Sequence, residues 1–211
     1  MTPAPVSALI VIPARLSSTR LPRKMLLAET GRPLIEHTWM AARAARAAAV
    51  VVATDSAEIA AAVGRFGGEV VMTSPEATSG TARIVEALPQ LPAADVIVNV
   101  QGDEPELAAA AIDDAIDLLA RCPEAGVATL VTPLSSGEDL RDPAAVKAVL
   151  TPWRQDGAAL PGCWRAVYFS RAAVPATTGM PASTSRNCSR LSRAASRDSG
   201  NVSQASRTLR R

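Results

Sequence analysis

Aromatic residues are scarce: three Trp, two Phe and one Tyr make up 3% of the 211 residues. The Arg-rich stretch 176–211 has none, which argues against base stacking on aromatic platforms there. The hydrophobic share is still 48%, so the core is built from Ala, Val, Ile and Leu in a chain long enough to bury it. Histidine is rarer still. His37 is the only one and has no Cys or His partner at ligand spacing, so it reads as a surface or core-edge residue rather than a base. Cys122, Cys163 and Cys188 lie far apart with no CxxC spacing, so neither a zinc site nor a disulfide framework is suggested and they read as ordinary thiols. No apolar run approaches the length of a membrane span, and the start MTPAPVSALIVIPAR has no basic segment before its apolar stretch, so the expectation is a cytoplasmic protein that does not enter a membrane. Neither GxxxxGK[ST] nor GxGxxG occurs; Gly64, Gly67 and Gly68 have the wrong spacing. P-loop and dinucleotide-binding chemistry are thereby set aside.

What is present is an alternation of strand-like and helix-like segments. Apolar, β-branched runs at Ala8 to Ile12, Val50 to Ala53, Glu69 to Met72, Asp95 to Val100 and Val127 to Val131 predict strands. Helical patterns lie between them at Pro33 to Arg46, Ala57 to Phe66, Thr81 to Leu88 and Leu107 to Arg121. Val146 to Leu150 and Ala166 to Phe169 read as two further strands joined by an irregular segment with Pro and Gly. Such alternation predicts right-handed crossovers and an α/β, doubly wound, mostly parallel sheet. The net charge of +2 is divided unevenly. Residues 176–211 hold seven Arg, eight Ser and one acid with few large apolar side chains, too little to offset the entropy of ordering them. The expected organisation is therefore a domain over 1–175 and a disordered Ser/Arg-rich tail.

In an open α/β sheet ligands bind at the carboxyl ends of the strands, so the residues there carry the functional signal. After the first strand comes PARLSSTRLPRK, residues 13–24, with Arg15, Arg20, Arg23 and Lys24 beside Ser17, Ser18 and Thr19. Guanidinium forks, an ammonium and hydroxyl donors in one loop suit a polyphosphate. After the strand ending at Val100 comes Gln101, Gly102, Asp103, Glu104 and Pro105. Carboxylates there suit a hard cation such as Mg²⁺. A solvated basic loop and a helix-capping acid are the plainer readings of these segments taken singly.

Read together, PARLSSTRLPRK, ATD at 53–55, MTSPEATSGTAR at 72–83, NVQGDEP at 99–105, DPAAVKAVL at 142–150 and YFSRAAVP at 168–175 resemble the 3-deoxy-D-manno-octulosonate cytidylyltransferases (CMP-KDO synthetases) in order and spacing. CMP-sialic acid synthetases share only the opening Pro-Ala-Arg and the fold. The resemblance implies a sheet of the nucleotide-diphospho-sugar transferase type and an enzyme that moves CMP from CTP to the sugar acid with release of pyrophosphate, for lipopolysaccharide biosynthesis. It implies Mg²⁺ as cofactor, CTP and a small sugar acid as partners, and a homodimer; neither nucleic acid nor membrane is expected. The implied catalytic residues are Arg15, Lys24 and Asp103. Pro13, Ala14, Arg15, Ser18, Lys24, Thr73, Ser79, Gly80 and Gln101 would face the nucleotide, Gln101 and Arg171 the sugar acid, and Asp103 the metal.

Two departures and two alternatives accompany this reading. Ala82 stands where the family has Glu before Arg83, and Arg23 stands where Gly is usual, which predicts a more crowded phosphate loop. Glu104 is read as support for the following helix start. Beyond Pro175 the family's HxGxY-like strand and its Gly-x-Asp-Thr-Pro-Glu-Asp segment, which brings a second metal carboxylate, have no counterpart, and a frame shift or truncation near that point is the expectation. The alternatives are a cytidylyltransferase for another sugar acid, such as a sialic acid, and a nucleotide- or nucleic-acid-binding chain without catalysis that uses its Arg-rich tail.

Overall fold

The computed structural model describes residues 6–17, 21–134, 140–155, 157–172 and 207–210. They fall into two compact units, 1–130 with 206–211, and 131–205. The sequence reading had kept 1–175 as one domain. Ser18 and all of 173–206, where the tail was expected to lack order, lie outside the described residues.

The first unit begins with β1 (Ala8–Ala14), buried at every position. It continues through α1 (Leu34–Arg43), β2 (Ala49–Thr54), α2 (Ala57–Arg65), β3 (Glu69–Met72), α3 (Gly80–Ala87), β4 (Val96–Asn99), α4 (Ala109–Arg121) and β5 (Val127–Thr129). These elements follow the expected alternation, with ends moved by up to three residues. β1 sits between β2 and β4 and is parallel to both, and β3 is parallel to β2. A strand's side chains alternate between faces, and β1 divides accordingly. Ala8, Ile10, Ile12 and Ala14 join one core with Ile35 of α1, Ile59 and Val63 of α2, and Ile112, Ile116 and Leu119 of α4. Leu9 and Val11 join the other with Ile84 and Ala87 of α3. Each fully buried Ile or Leu contributes about 1.5–3 kcal/mol, so both faces of β1 are held by helices on opposite sides. This is the mostly parallel, doubly wound sheet read from the sequence.

One strand of this sheet was not expected from the sequence. β8 (Arg207–Arg210) lies in the same sheet, antiparallel to β4 on one side and β5 on the other, in the order β3-β2-β1-β4-β8-β5. The tail's shortage of apolar residues predicted disorder for this stretch. A strand inserted between two existing strands needs no apolar run of its own, because its backbone groups are satisfied from both sides.

The second unit is built on a hairpin of β6 (Lys147–Gln155) and β7 (Ala158–Ser170). The sequence reading broke this region into two short strands with an irregular link. The structure instead pairs it throughout and places the irregularity in the register, with shifts between Val149 and Leu150 and between Pro152 and Arg154. Bulges accommodate Pro152, which has no N–H to give to a ladder.

Candidate active site

β1, β2 and β3 end level with one another: Ala14 pairs with Thr54, and Thr54 with Met72. Arg15, Asp55 and Thr73 each follow directly on that last rung. On the other side of β1, Val11 pairs with Asn99, and the chain runs on into Gln101 and Asp103. Polar residues from four adjacent parallel strands therefore meet at one edge.

Three of the residues expected at a nucleotide site are brought together there. A methyl group on Gly80 would lie 3.1 Å from Cγ of Pro13 and 3.4 Å from Oε1 of Gln101. A glycine lets the start of α3 come this close to β1 and to the loop after β4 without a shift of either. Gly102 is as confined, since a methyl group there would lie 3.2 Å from the Pro13 carbonyl oxygen and 3.0 Å from Sδ of Met25. Its own carbonyl accepts a 2.8 Å hydrogen bond from the buried hydroxyl of Thr38 on α1, which fixes the loop from below. Gln101 Nε2 donates to Oδ1 of Asn99 at 2.8 Å. Asn99 is 4% exposed and was not singled out in the sequence, although a polar residue closing the apolar run Val-Ile-Val was its signal.

Lys24 opens a short 3-10 turn, Lys24–Leu26, and its ammonium lies 3.0 Å from Oδ2 of Asp103. The basic loop after β1 and the acidic loop after β4 thus face each other. Arg15 is exposed at the end of β1. Arg23 has φ of +57°, the left-handed region that a glycine occupies without strain. Its guanidinium pairs with Glu58 on α2, which explains how an arginine is held there. Glu104 does not serve the next helix as expected, because α4 starts only at Ala109. Instead its Oε2 is buried with no hydrogen-bond partner among the described residues. Burial, and then the nearby Asp103 charge, push its carboxyl up to about 7.

At the other side of the edge, Ser79 caps α3, its hydroxyl accepting from Ala82 N at 3.1 Å. Thr73 and Ser74 are tied to the same helix. Arg83, 3% exposed, donates to the Thr73 hydroxyl and to the Ser74 carbonyl and pairs with Asp55 at 2.9 Å. Glu86 accepts from Ser74 N. His37 stands apart, half-buried on α1 and 2.7 Å from the Thr30 hydroxyl, as the sequence reading has it.

In the second unit the DPAAVK and YFSR segments form one cluster. The ammonium of Lys147, 3% exposed, donates to the carbonyls of Asp142, Ala145 and Arg171 at 2.8, 3.0 and 2.6 Å. Arg171 is exposed, and Nη1 of its guanidinium donates to the carbonyls of Pro143 and Ala144. Among the described residues no group of three His, Cys, Asp or Glu is gathered as a metal cage, and no helix is long and apolar enough to cross a membrane.

A parallel sheet with this edge defines a nucleotide-diphospho-sugar transferase fold. The solved structure of CMP:2-keto-3-deoxy-manno-octonic acid synthetase complexed with CTP superposes on it with a TM-score of 0.75 at 33% identity, covering 97% of this chain and 74% of that one. Residues 9–199 match the cytidylyltransferase family, to which the chain belongs. Among its relatives are the 3-deoxy-manno-octulosonate cytidylyltransferase of Chlorobium chlorochromatii (strain CaD3), 47% identical over 173 residues, and that of Idiomarina loihiensis, 45% identical over 172 residues. Each alignment covers 81% of this chain, but only 65% and 64% of the respective relatives. The chain therefore spans just under two thirds of the length of the relatives it matches.

Proposed function

We propose that this chain transfers CMP from CTP to 3-deoxy-D-manno-octulosonate, releasing pyrophosphate and providing the activated sugar for lipopolysaccharide biosynthesis in the cytoplasm. The observation that carries the reading is the Lys24–Asp103 pair, which joins the loop after β1 to the loop after β4, next to Pro13 at the end of β1 and Gln101, against which Gly80 packs. In the reaction the anomeric hydroxyl oxygen attacks the α-phosphorus of CTP. The bond from that phosphorus to the bridging oxygen breaks, pyrophosphate leaves with the electron pair, and the hydroxyl proton passes to water. Such transfer is mainly positioning and charge stabilisation.

Arg15 and Lys24 hold the triphosphate in this scheme, and Pro13, Ala14 and Ser18 are assigned to the nucleotide with them. Thr73, Ser79 and Gly80 face the base, and Gln101 lies between nucleotide and sugar. Arg171 takes the sugar's carboxylate. With Nη1 already oriented by two carbonyls, its remaining N–H groups are available for a fork. The residues present fit Mg²⁺: Asp103 already holds a cationic ammonium, and Glu104 beside it has an orphaned buried carboxylate oxygen. Mg²⁺ is commonly bound by one or two carboxylates together with substrate phosphates. Asp103 would hold the ion, which when bound neutralises charge on the phosphates. The deciding experiment is pyrophosphate release from CTP, with and without the sugar acid, for the chain and for Asp103→Asn. Sugar-dependent release that the substitution lowers by 100-fold or more, with an unchanged circular dichroism spectrum, supports the reading. Release no greater than with CTP alone overturns it.

A further inference from the structure

We infer that Lys24 guards the Asp103 carboxylate: its ammonium competes there with a divalent cation and yields when a triphosphate takes that ammonium, so that metal enters with the nucleotide rather than before it. This rests on the assignment of Lys24 to the triphosphate and of Asp103 to Mg²⁺ above, and deepens it. Nζ of Lys24 lies 3.0 Å from Oδ2 of Asp103, joining the loop after β1 to the loop after β4. An isolated pair of part-exposed side chains contributes little, because both must be ordered to make it. Here other contacts already order both loops. On the lysine side, Arg23 N donates to the Leu16 carbonyl at 3.3 Å, the Arg23 guanidinium pairs with Glu58 on α2, and Leu26 N donates to the Arg23 carbonyl at 2.9 Å. On the aspartate side, the Thr38 hydroxyl holds the Gly102 carbonyl, and Glu104 N donates to the Gln101 carbonyl at 3.1 Å. Met25, next after Lys24, stands close against Gly102, just before Asp103. With the two main chains fixed beside one another, the pair opens by rotation about the side-chain bonds of Lys24.

The antagonism is one of charge rather than of lone pairs. A carboxylate offers several acceptor positions and one ammonium fills only one of them, so Lys24 does not block Asp103 sterically. A divalent ion on the same carboxylate, however, lies within a few ångströms of the ammonium, and the two cations repel while sharing a single negative charge. A triphosphate reverses the sign. It gives the ammonium several anionic oxygens in place of one carboxylate, and Mg²⁺ is commonly bound by one or two carboxylates together with substrate phosphates. Lys24 therefore weakens metal binding by the chain alone and strengthens binding of the nucleotide with metal. A lysine that served the triphosphate only would show the second effect without the first, and one that merely braced the two loops would strengthen both.

The first measurement titrates Mn²⁺, a paramagnetic substitute for Mg²⁺, into the full-length chain without nucleotide at low ionic strength, reading free Mn²⁺ by electron paramagnetic resonance. Lys24→Gln is expected to bind Mn²⁺ about tenfold tighter than the parent, the effect of removing one unit charge close to a dication. Adding Asp103→Asn removes that gain, whereas Arg15→Gln, which takes the same charge from elsewhere in the loop, changes the affinity by about twofold or less. The second measurement is CTP binding by calorimetry in the presence of Mg²⁺, where Lys24→Gln is expected to bind about tenfold more weakly, the loss of one charge-assisted contact. Lys24→Met gives the same reading if the glutamine variant fails to fold. A Mn²⁺ affinity unchanged in Lys24→Gln overturns the inference while leaving the proposed function standing. So does a gain that Asp103→Asn does not remove, or one that Arg15→Gln matches. A CTP affinity that Lys24→Gln leaves unmoved overturns it as well, because the ammonium then has no triphosphate to leave for. A parent chain that binds no CTP overturns the proposed function, and this inference with it.

Discussion

Glu104 shows how one residue at the sheet edge registers on the stability of the fold. The unfolded chain releases the Glu104 proton near 4.5, the folded chain only at about 7. Between these values the unfolded chain binds fewer protons, so stability falls as pH rises through that window. Glu104→Gln removes the titration. Without Mg²⁺, its melting temperature should match the parent near pH 4.5 and exceed it progressively up to pH 8; a constant offset across that range would show that Glu104 is not buried as described. Arg171 makes a different prediction. Replacing it with Ala removes a charge-assisted fork, so the Michaelis constant for the sugar acid should rise tenfold or more while that for CTP changes less than threefold. Equal effects on both would remove Arg171 from the sugar site.

At the level of elements, the first turn of α3 does two jobs that substitution can separate. Ser79→Ala removes the cap bond to Ala82 N and should cost about 1 kcal/mol, read by urea denaturation. Gly80→Ala keeps the cap but places a methyl group 3.1 Å from Pro13 Cγ, so the helix or Gln101 must give by a few tenths of an ångström. Its expected effect is a several-fold weaker affinity for CTP with less loss of stability than Ser79→Ala. An unchanged affinity would mean that the close approach of α3 has no bearing on the nucleotide. The contrast also marks what the sequence could reveal. Ser79 and Gly80 were legible because a cap and a glycine have local signatures, and so were Lys24 and Asp103, which lie in the charged loops that follow two apolar runs. The Arg83–Asp55 pair was not, because Asp55 and Arg83 meet only after α3 folds back across β2 and β3. Asn99 did carry a signal, as the polar residue that closes the apolar run Val-Ile-Val, but its role depends on a hydrogen bond with Gln101 that no periodicity shows. The pairing of β6 with β7 was obscured by Pro152, whose missing donor the bulged register absorbs.

Over the whole molecule the least legible feature is β8, since nothing in residues 207–210 resembles a core strand and its place is set by β4 and β5. Removing residues 206–211 should lower the melting temperature by several degrees and speed amide exchange at Val98 and Ala128, whose registers both include Thr208. Unchanged exchange at those two positions would mean that β8 adds nothing to the sheet. This arrangement also sets the order in which the protein can be finished on the ribosome. β1 to β4 have neighbours made early and can assemble while the chain is still growing, whereas β5, which ends at Thr129, pairs with β8 and must wait for Arg207. β4 ends at Asn99 and β8 begins at Arg207, so at about 5–20 residues per second the β4 edge stays open for roughly 5–22 seconds of synthesis, an interval in which any other extended segment can compete for it.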